Sequence, residues 1–282
     1  MKKFLSILLA AVLVLSATVA LADGVTIAVP NDATNEGRAL LLLQANGIIT
    51  LKEDAGITAT VLDIAENPLG IEFVEAEAAM LPNLLADVDY AIINNNYALD
   101  AGLNPVEQGL LIESAESPYV NVLCVKEGNE ETPEAKALAA ALTSQQVVNF
   151  ITNTYGGSAV ATVAEPTDGY DPDVDYAALA GTTITVCGTP VPHVEVLDIA
   201  KDILAAKDIT LDVITVTDYV TPNEMVESGD VFANYFAHQP YQDDFNAQNG
   251  THIVTIAGIH VEPMALYGGK QTDLAALGTA AE

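Results

Sequence analysis

Tryptophan is missing from the chain, only two cysteines occur among its 282 residues, and nine Lys and Arg stand against 39 Asp and Glu. Each scarcity closes a class of function. A formal charge of −30 repels a phosphate backbone, which excludes nucleic acid as a partner, and it disfavours anionic membrane surfaces in the same way. The surplus of acid reads first as a solubilising surface. Gly-x-Gly-x-x-Gly, Walker, Gly-x-Ser-x-Gly and Cys-x-x-Cys patterns are all lacking, so the common phosphate-binding, acyl-transfer and redox signatures are absent. Cys124 and Cys187 lie in or beside apolar, strand-like runs. A disulfide and two buried free thiols are both compatible with that placement, and neither points to catalysis.

Long apolar runs are equally scarce. One runs from Phe4 to Leu15, after Lys2 and Lys3 and before the small residues around Ala20-Leu21-Ala22. Basic, apolar and small-residue regions in that order predict a secretory signal over residues 1–22, cleaved after Ala22. No cysteine stands near the cleavage point to accept a lipid, so the expected product is periplasmic or secreted and unanchored.

What is present suits a globular α/β protein: half of the residues are hydrophobic and 17% are charged. Val25–Val29 reads as a strand, Pro30-Asn31-Asp32 as a turn, and Thr34 to about Gly47 as a helix. Further strands are predicted at Thr58–Ile64, Tyr90–Ile93, Val120–Val125, Thr182–Val186, Leu211–Val216, Asp230–Phe232 and Ile253–Ile256. Helices are predicted at Ala78–Leu85, from Pro133 to about Thr152, from about Val194 to Ala206, and weakly at Met225–Ser228. Turn signals crowd residues 164–180, which reads as a linker.

Arg38 is the chain's single arginine and stands near a predicted helix N-terminus. A guanidinium there can grip a carboxylate with two parallel hydrogen bonds, or it can pair with Glu36 or another surface acid. Tyr219, Phe236, His238 and Tyr241 are dense for a chain with 6% aromatics, and they fit either an apolar ligand slot or ordinary core packing. The four histidines have no zinc-like spacing. A metal group of His238, His260 and Glu262 can be drawn, but separate roles are favoured.

Six stretches carry a resemblance. They are Val29–Leu40, Ala91–Ala98, Glu116–Val122, Gly188–Glu195, Asp218–Asn223 and Ala233–Tyr241. Together they resemble the methionine-binding NlpA lipoprotein family, the substrate-binding proteins of methionine-type ABC importers. The resemblance implies a two-lobed, type II periplasmic-binding-protein-like α/β fold, here circularly permuted. In typical members the segment resembling Thr182–Lys270 precedes the one resembling Val25–Gly157, whereas here it follows. One covalent crossing between lobes is then expected at about Gly109–Tyr119, with contiguous lobes at 24–112 and 113–282 and the new chain ends near the hinge. A monomer is expected, a domain-swapped dimer being the alternative.

The resemblance further implies that Arg38, with Asn35 nearby, receives a ligand carboxylate, and that Asn94 and Asn121 hold the α-amino and carboxylate groups. Tyr219, Phe236, His238 and Tyr241 then surround a thioether chain. Neutral dipoles suffice for the ammonium, and no cofactor or metal is called for. Asn95 and Ala237 depart from the Gly and Gln common at those family positions. The expected function is capture of methionine or a close relative and delivery to an ABC permease. Alternatives are another small amino acid or short peptide, an enzyme using His238 and Glu262 on a small amino acid, or a scaffold without ligand.

Overall fold

The computed structural model describes residues 24–114 and 116–278, so the expected export signal lies outside the described residues. Its strands in chain order are β1 (Thr26–Pro30), β2 (Thr50–Leu51), β3 (Ile64–Glu66), β4 (Glu72–Ala76), β5 (Tyr90–Ile93), β6 (Leu111–Ile112) and β7 (Val120–Lys126). There follow β8 (Val160–Ala161), β9 (Thr183–Gly188), β10 (Thr210–Thr215), β11 (Ala233–His238), β12 (Ile253–Val261) and β13 (Ala265–Gly268). They form two main sheets, ordered β4-β1-β5-β13-β6 and β10-β9-β11-β7-β12-β8, each with its own core; β2 and β3 make a small third sheet.

Central parallel strands are covered on both faces, which is why they read as unbroken apolar runs. Ile27, Ala28 and Val29 of β1 are fully buried, and so are all four residues of β5. The helix Ala33–Ala45 starts where Asp32 accepts the Asn35 backbone N–H, and it buries Leu40 and Leu43 against β1. Three expected elements differ: the strand expected at Asp230–Phe232 falls instead at Ala233–His238. Thr58–Ile64 coils into short 3₁₀ turns, because Thr60 and Asp63 cap each other reciprocally, and strand geometry resumes only at Ile64. The helix expected from Pro133 to Thr152 breaks in two, Pro133–Leu142 and Gln145–Tyr155, because Ser144 caps the second by accepting from Val147 N.

The lobes are joined twice. The chain leaves the first sheet after β6 and enters the second at β7, then returns between β12 and β13. β13 pairs antiparallel with both β5 and β6, and Leu274 and Leu277 pack on the core of β1. This corrects the expected boundary of 113–282 and the single crossing: the described residues from about 265 to 278 belong to the first lobe. The described chain ends also lie there rather than at the hinge. The physical reason is that β13 supplies the antiparallel partner that β5 otherwise lacks on that side. The 164–180 stretch packs on the second lobe, with the Tyr170 hydroxyl donating to Ile203 O and Lys207 over the Tyr170 ring at 4.4 Å.

Cys124 and Cys187 are buried free thiols. Asn234 of β11 lies opposite Cys124 of β7 on one side and Cys187 of β9 on the other, so a whole strand separates the sulfurs. Two strand spacings amount to roughly 9.5 Å, beyond the reach of a disulfide. Burial pushes both thiols up to about 12. A disulfide-exchange reagent should therefore find no reactive thiol in folded protein and two after denaturation; a native mass lower by about two hydrogens would contradict this reading.

Candidate functional site

All eight expected residues line one cavity between the lobes: Asn35, Arg38, Asn94, Asn121, Tyr219, Phe236, His238 and Tyr241. Asn95, Asn96, Ala237 and Glu262 complete the wall. Their placement follows from topology. Asn35 and Arg38 follow the carboxyl end of β1, Asn94 to Asn96 that of β5, Tyr219 that of β10, and Phe236 to Tyr241 that of β11. In open α/β sheets this is where ligand crevices form. Between Tyr235 and His238 the pairing of β11 with β7 slips by one residue, a bulge that brings Phe236, Ala237 and His238 all to the cavity.

Arg38 is 4% exposed and does not pair with Glu36, whose carboxylate instead accepts from Val61 N. Its Nε donates to both Glu113 oxygens at 3.1 Å, and its Nη2 to Glu113 Oε2 at 2.5 Å and to the Glu262 carbonyl at 2.7 Å. The guanidinium also lies 4.4 Å over the Tyr119 ring. The two-pronged grip expected for a ligand is thus taken by Glu113, and Nη1 is the nitrogen that none of these bonds uses.

Hydrogen-bond polarity fixes the remaining amides one after another. The Tyr241 backbone N–H donates to His238 Nδ1, so His238 Nε2–H must donate to Asn35 Oδ1, at 2.9 Å. Asn35 Nδ2 donates to the Asp32 carboxylate, and Asn94 Nδ2 donates to Asn35 Oδ1 at 2.8 Å. Asn35 is therefore spent on its neighbours, and it reaches a cavity occupant only by orienting Asn94. The buried Asn94 Oδ1 is left with no partner. On the other wall His193 Nε2 faces the acceptor Glu262 Oε1 at 3.1 Å and so carries the proton; Asn121 Oδ1 accepts from it at 3.1 Å, Asn121 presents its Nδ2 hydrogens as donors, and the Thr189 hydroxyl bonds His193 Nδ1.

The expected grouping of His238, His260 and Glu262 does not form, since His238 is held by Asn35. The group that forms is His193, His260 and Glu262, whose ligand atoms lie within 4.8 Å of one another. Both Nε2 atoms approach Glu262 Oε1, at 3.1 and 2.8 Å, and the Tyr235 hydroxyl shares a hydrogen bond with His260 Nδ1. Burial alone drives the Glu262 carboxyl up, but the histidine contacts and the Asn95 amide outweigh it and leave the carboxyl below its ordinary value. Burial lowers His193 to about 4 and His238 well below 6.5.

Rings close the far end. Tyr219 stands 6.0 Å from Phe236 and 5.7 Å from Tyr241, and Phe236 stands 6.1 Å from Tyr241. The Tyr219 hydroxyl crosses to Asn96 Oδ1 at 2.6 Å, the Tyr97 hydroxyl to the Thr217 carbonyl at 3.1 Å. With the His238 to Asn35 bond, three hydrogen bonds hold the lobes together around the cavity. Sequence reasoning missed Glu113, Tyr119, His193, Asn95 and Asn96, and gave Glu262 only a metal or acid–base role. His193 and Asn95 lay inside the motifs already singled out, whereas nothing local marks Glu113.

Two α/β lobes joined by two crossings, with a polar and aromatic cavity at their strand ends, make this a type II periplasmic-binding-protein-like fold. The family described as NlpA lipoprotein matches residues 15–163 and 184–282, and the chain belongs to that family. Outer membrane lipoprotein 2 of Mannheimia haemolytica is 41% identical over 140 residues, 50% of this chain and 51% of that one. The D-methionine-binding lipoprotein MetQ of Escherichia coli is 44% identical over 142 residues, 50% of this chain and 52% of that one. A Burkholderia cenocepacia nutrient-binding protein, solved bound to methionine, is 49% identical with a TM-score of 0.48, covering 49% of this chain and 59% of that one. The chain spans about half the length of the curated relatives it matches. No helix among the described residues is long and apolar enough to cross a membrane.

The buried histidines set a pH response. His193 titrates at about 4 when folded and near 6.5 when unfolded, so between those values the unfolded chain binds a proton that the folded chain refuses. Its stabilising contribution is full above about pH 6.5 and falls as pH drops toward 4, by on the order of 3 kcal/mol. His238 acts in the same direction. Urea midpoints taken from pH 7 to 4.5 should decline steadily, and a flat profile over that window would contradict the neutral-histidine assignment.

Proposed function

We propose that the cavity captures methionine or a close relative outside the cytoplasm and that the protein delivers it to an ABC permease, without chemical change to the ligand. The observation that carries this reading is the sorting of unspent polar groups beside an aromatic enclosure. Arg38 Nη1 and Asn121 Nδ2 are donors suited to a carboxylate, the unpartnered Asn94 Oδ1 is an acceptor suited to an ammonium, and four rings suit an apolar, polarisable tail. Membership of the NlpA family and the D-methionine-binding name of the MetQ relative support the same ligand class. The acid–base reading is weakened because the His238 Nε2 proton is held by Asn35 and Glu262 is held by two other histidines.

Both crossings are made within one chain, which supports a monomer. The family match in two blocks, with each relative covered over only about half its length, supports exchanged segment order. Closure of the lobes removes water and strengthens each polar contact.

Titration calorimetry with L-methionine should give saturable binding at one site per chain. Arg38→Lys keeps the charge but loses the planar fork that serves Glu113, the Glu262 carbonyl and the ligand at once; affinity should fall about 10- to 100-fold, or roughly 1.4–2.8 kcal/mol. Phe236→Ala should fall by a similar factor through the lost ring. Undiminished binding in both variants would place the ligand elsewhere.

A further inference from the structure

We infer that Glu262 is the anionic seat for the ligand's ammonium group, making the cavity selective for a free α-amine as well as for a carboxylate. The inference rests on the functional reading above and deepens it. Glu262 is the first residue after β12, lies at the return crossing, is 5% exposed and lines the cavity.

Its carboxylate is used unevenly. Oε1 accepts from His260 at 2.8 Å and has His193 Nε2 3.1 Å away, whereas Oε2 has only the Asn95 Nδ2 group, at a long 3.4 Å. A carboxylate can accept about four hydrogen bonds, so Oε2 has capacity to spare. Because Asn95 turns its Nδ2 to that oxygen, its buried Oδ1 is left without a partner, as is the neighbouring Asn94 Oδ1. Glu262, Asn95 and Asn94 all line the cavity, and Oε2 of the first and Oδ1 of the other two are acceptors with capacity to spare, as many as the hydrogens an alkylammonium donates.

Charge points the same way. Arg38 is balanced by Glu113, and among the described residues no lysine or arginine side chain forms an ion pair with Glu262. Of its two histidine partners, His193 is kept neutral by burial. With no lysine or arginine ion-paired to it among the described residues, the buried carboxylate is an acceptor of opposite charge ready for an incoming ammonium. Arg38 Nη2 meanwhile donates to the Glu262 backbone carbonyl, so the donor for a ligand carboxylate and the acceptor for its ammonium are set side by side by one residue. Neutral asparagine dipoles alone, the expectation from resemblance, are therefore not the whole ammonium site.

The test compares L-methionine with 4-(methylsulfanyl)butanoate, which keeps the carboxylate and thioether but lacks the amine, by calorimetry on wild type and Glu262→Gln. Wild type should prefer methionine by at least about 100-fold, and Glu262→Gln should shrink that preference below about tenfold while leaving binding of the amine-free acid within about threefold. A purely structural role would weaken both ligands alike and leave the ratio intact. Equal wild-type affinity for the two ligands overturns the inference without need of any variant, so a poorly folding Glu262→Gln does not rescue it. A folded Glu262→Gln that discriminates as wild type does also overturns it while sparing methionine capture. Wild type that binds no member of an amino-acid panel overturns the functional reading and this one together.

Discussion

A single guanidinium, buried where both chain crossings meet, constrains the rest of this molecule. Arg38 binds the Glu113 side chain on the outgoing crossing and the Glu262 carbonyl on the return crossing, and it stacks on Tyr119 just before β7. A charge at that depth is tolerable only when paired and hydrogen-bonded, so the two segments that connect the lobes must come to the same point. The first helix carries Arg38 to them because Asp32 caps its N-terminus. The floor of the cavity is, in this sense, the hinge itself.

From that floor the polarity of each wall follows by necessity. One backbone N–H sets the tautomer of His238, His238 and Asp32 set the amide of Asn35, and Asn35 sets that of Asn94. On the facing side the Glu262 carboxylate sets the proton of His193, which sets Asn121. No amide or imidazole in either series can reverse without setting donor against donor or acceptor against acceptor. The outcome is a cavity with donors on one part of its wall and acceptors on another, before any ligand arrives. Such preorganisation lowers the cost of ordering that binding would otherwise carry.

The same bonds connect structure to motion. His238 with Asn35, Tyr219 with Asn96, and Tyr97 with Thr217 each span the lobes, and the first two join residues that line the cavity. Separating the lobes breaks them together and exposes Phe236 and Tyr241, which are nearly fully buried here. Hinge motion in this fold is therefore tied to the residues that would touch a solute, with the two crossing segments as the points about which it turns.

How much of this was legible beforehand varied with the range of the interaction concerned. Caps, strand runs and the helix after β1 were readable because Asp32, the β-branched runs and Gly47 act over a few residues. The eight cavity residues were named because motif resemblance carried information from outside the chain, and all eight share one cavity. Missed were Glu113 as partner of Arg38 and the carboxylate of Glu262 beside Asn95, pairs 75 and 167 residues apart whose meeting no local pattern encodes. The return of β13 to the first sheet was missed for a like reason: an antiparallel partner is chosen by the sheet, not by the four residues that supply it. By itself the sequence determined composition, local elements and which side chains are chemically unusual. Only the tertiary structure decided which of them are already spent on each other and which stay free, because hydrogen-bond capacity is consumed by neighbours in space.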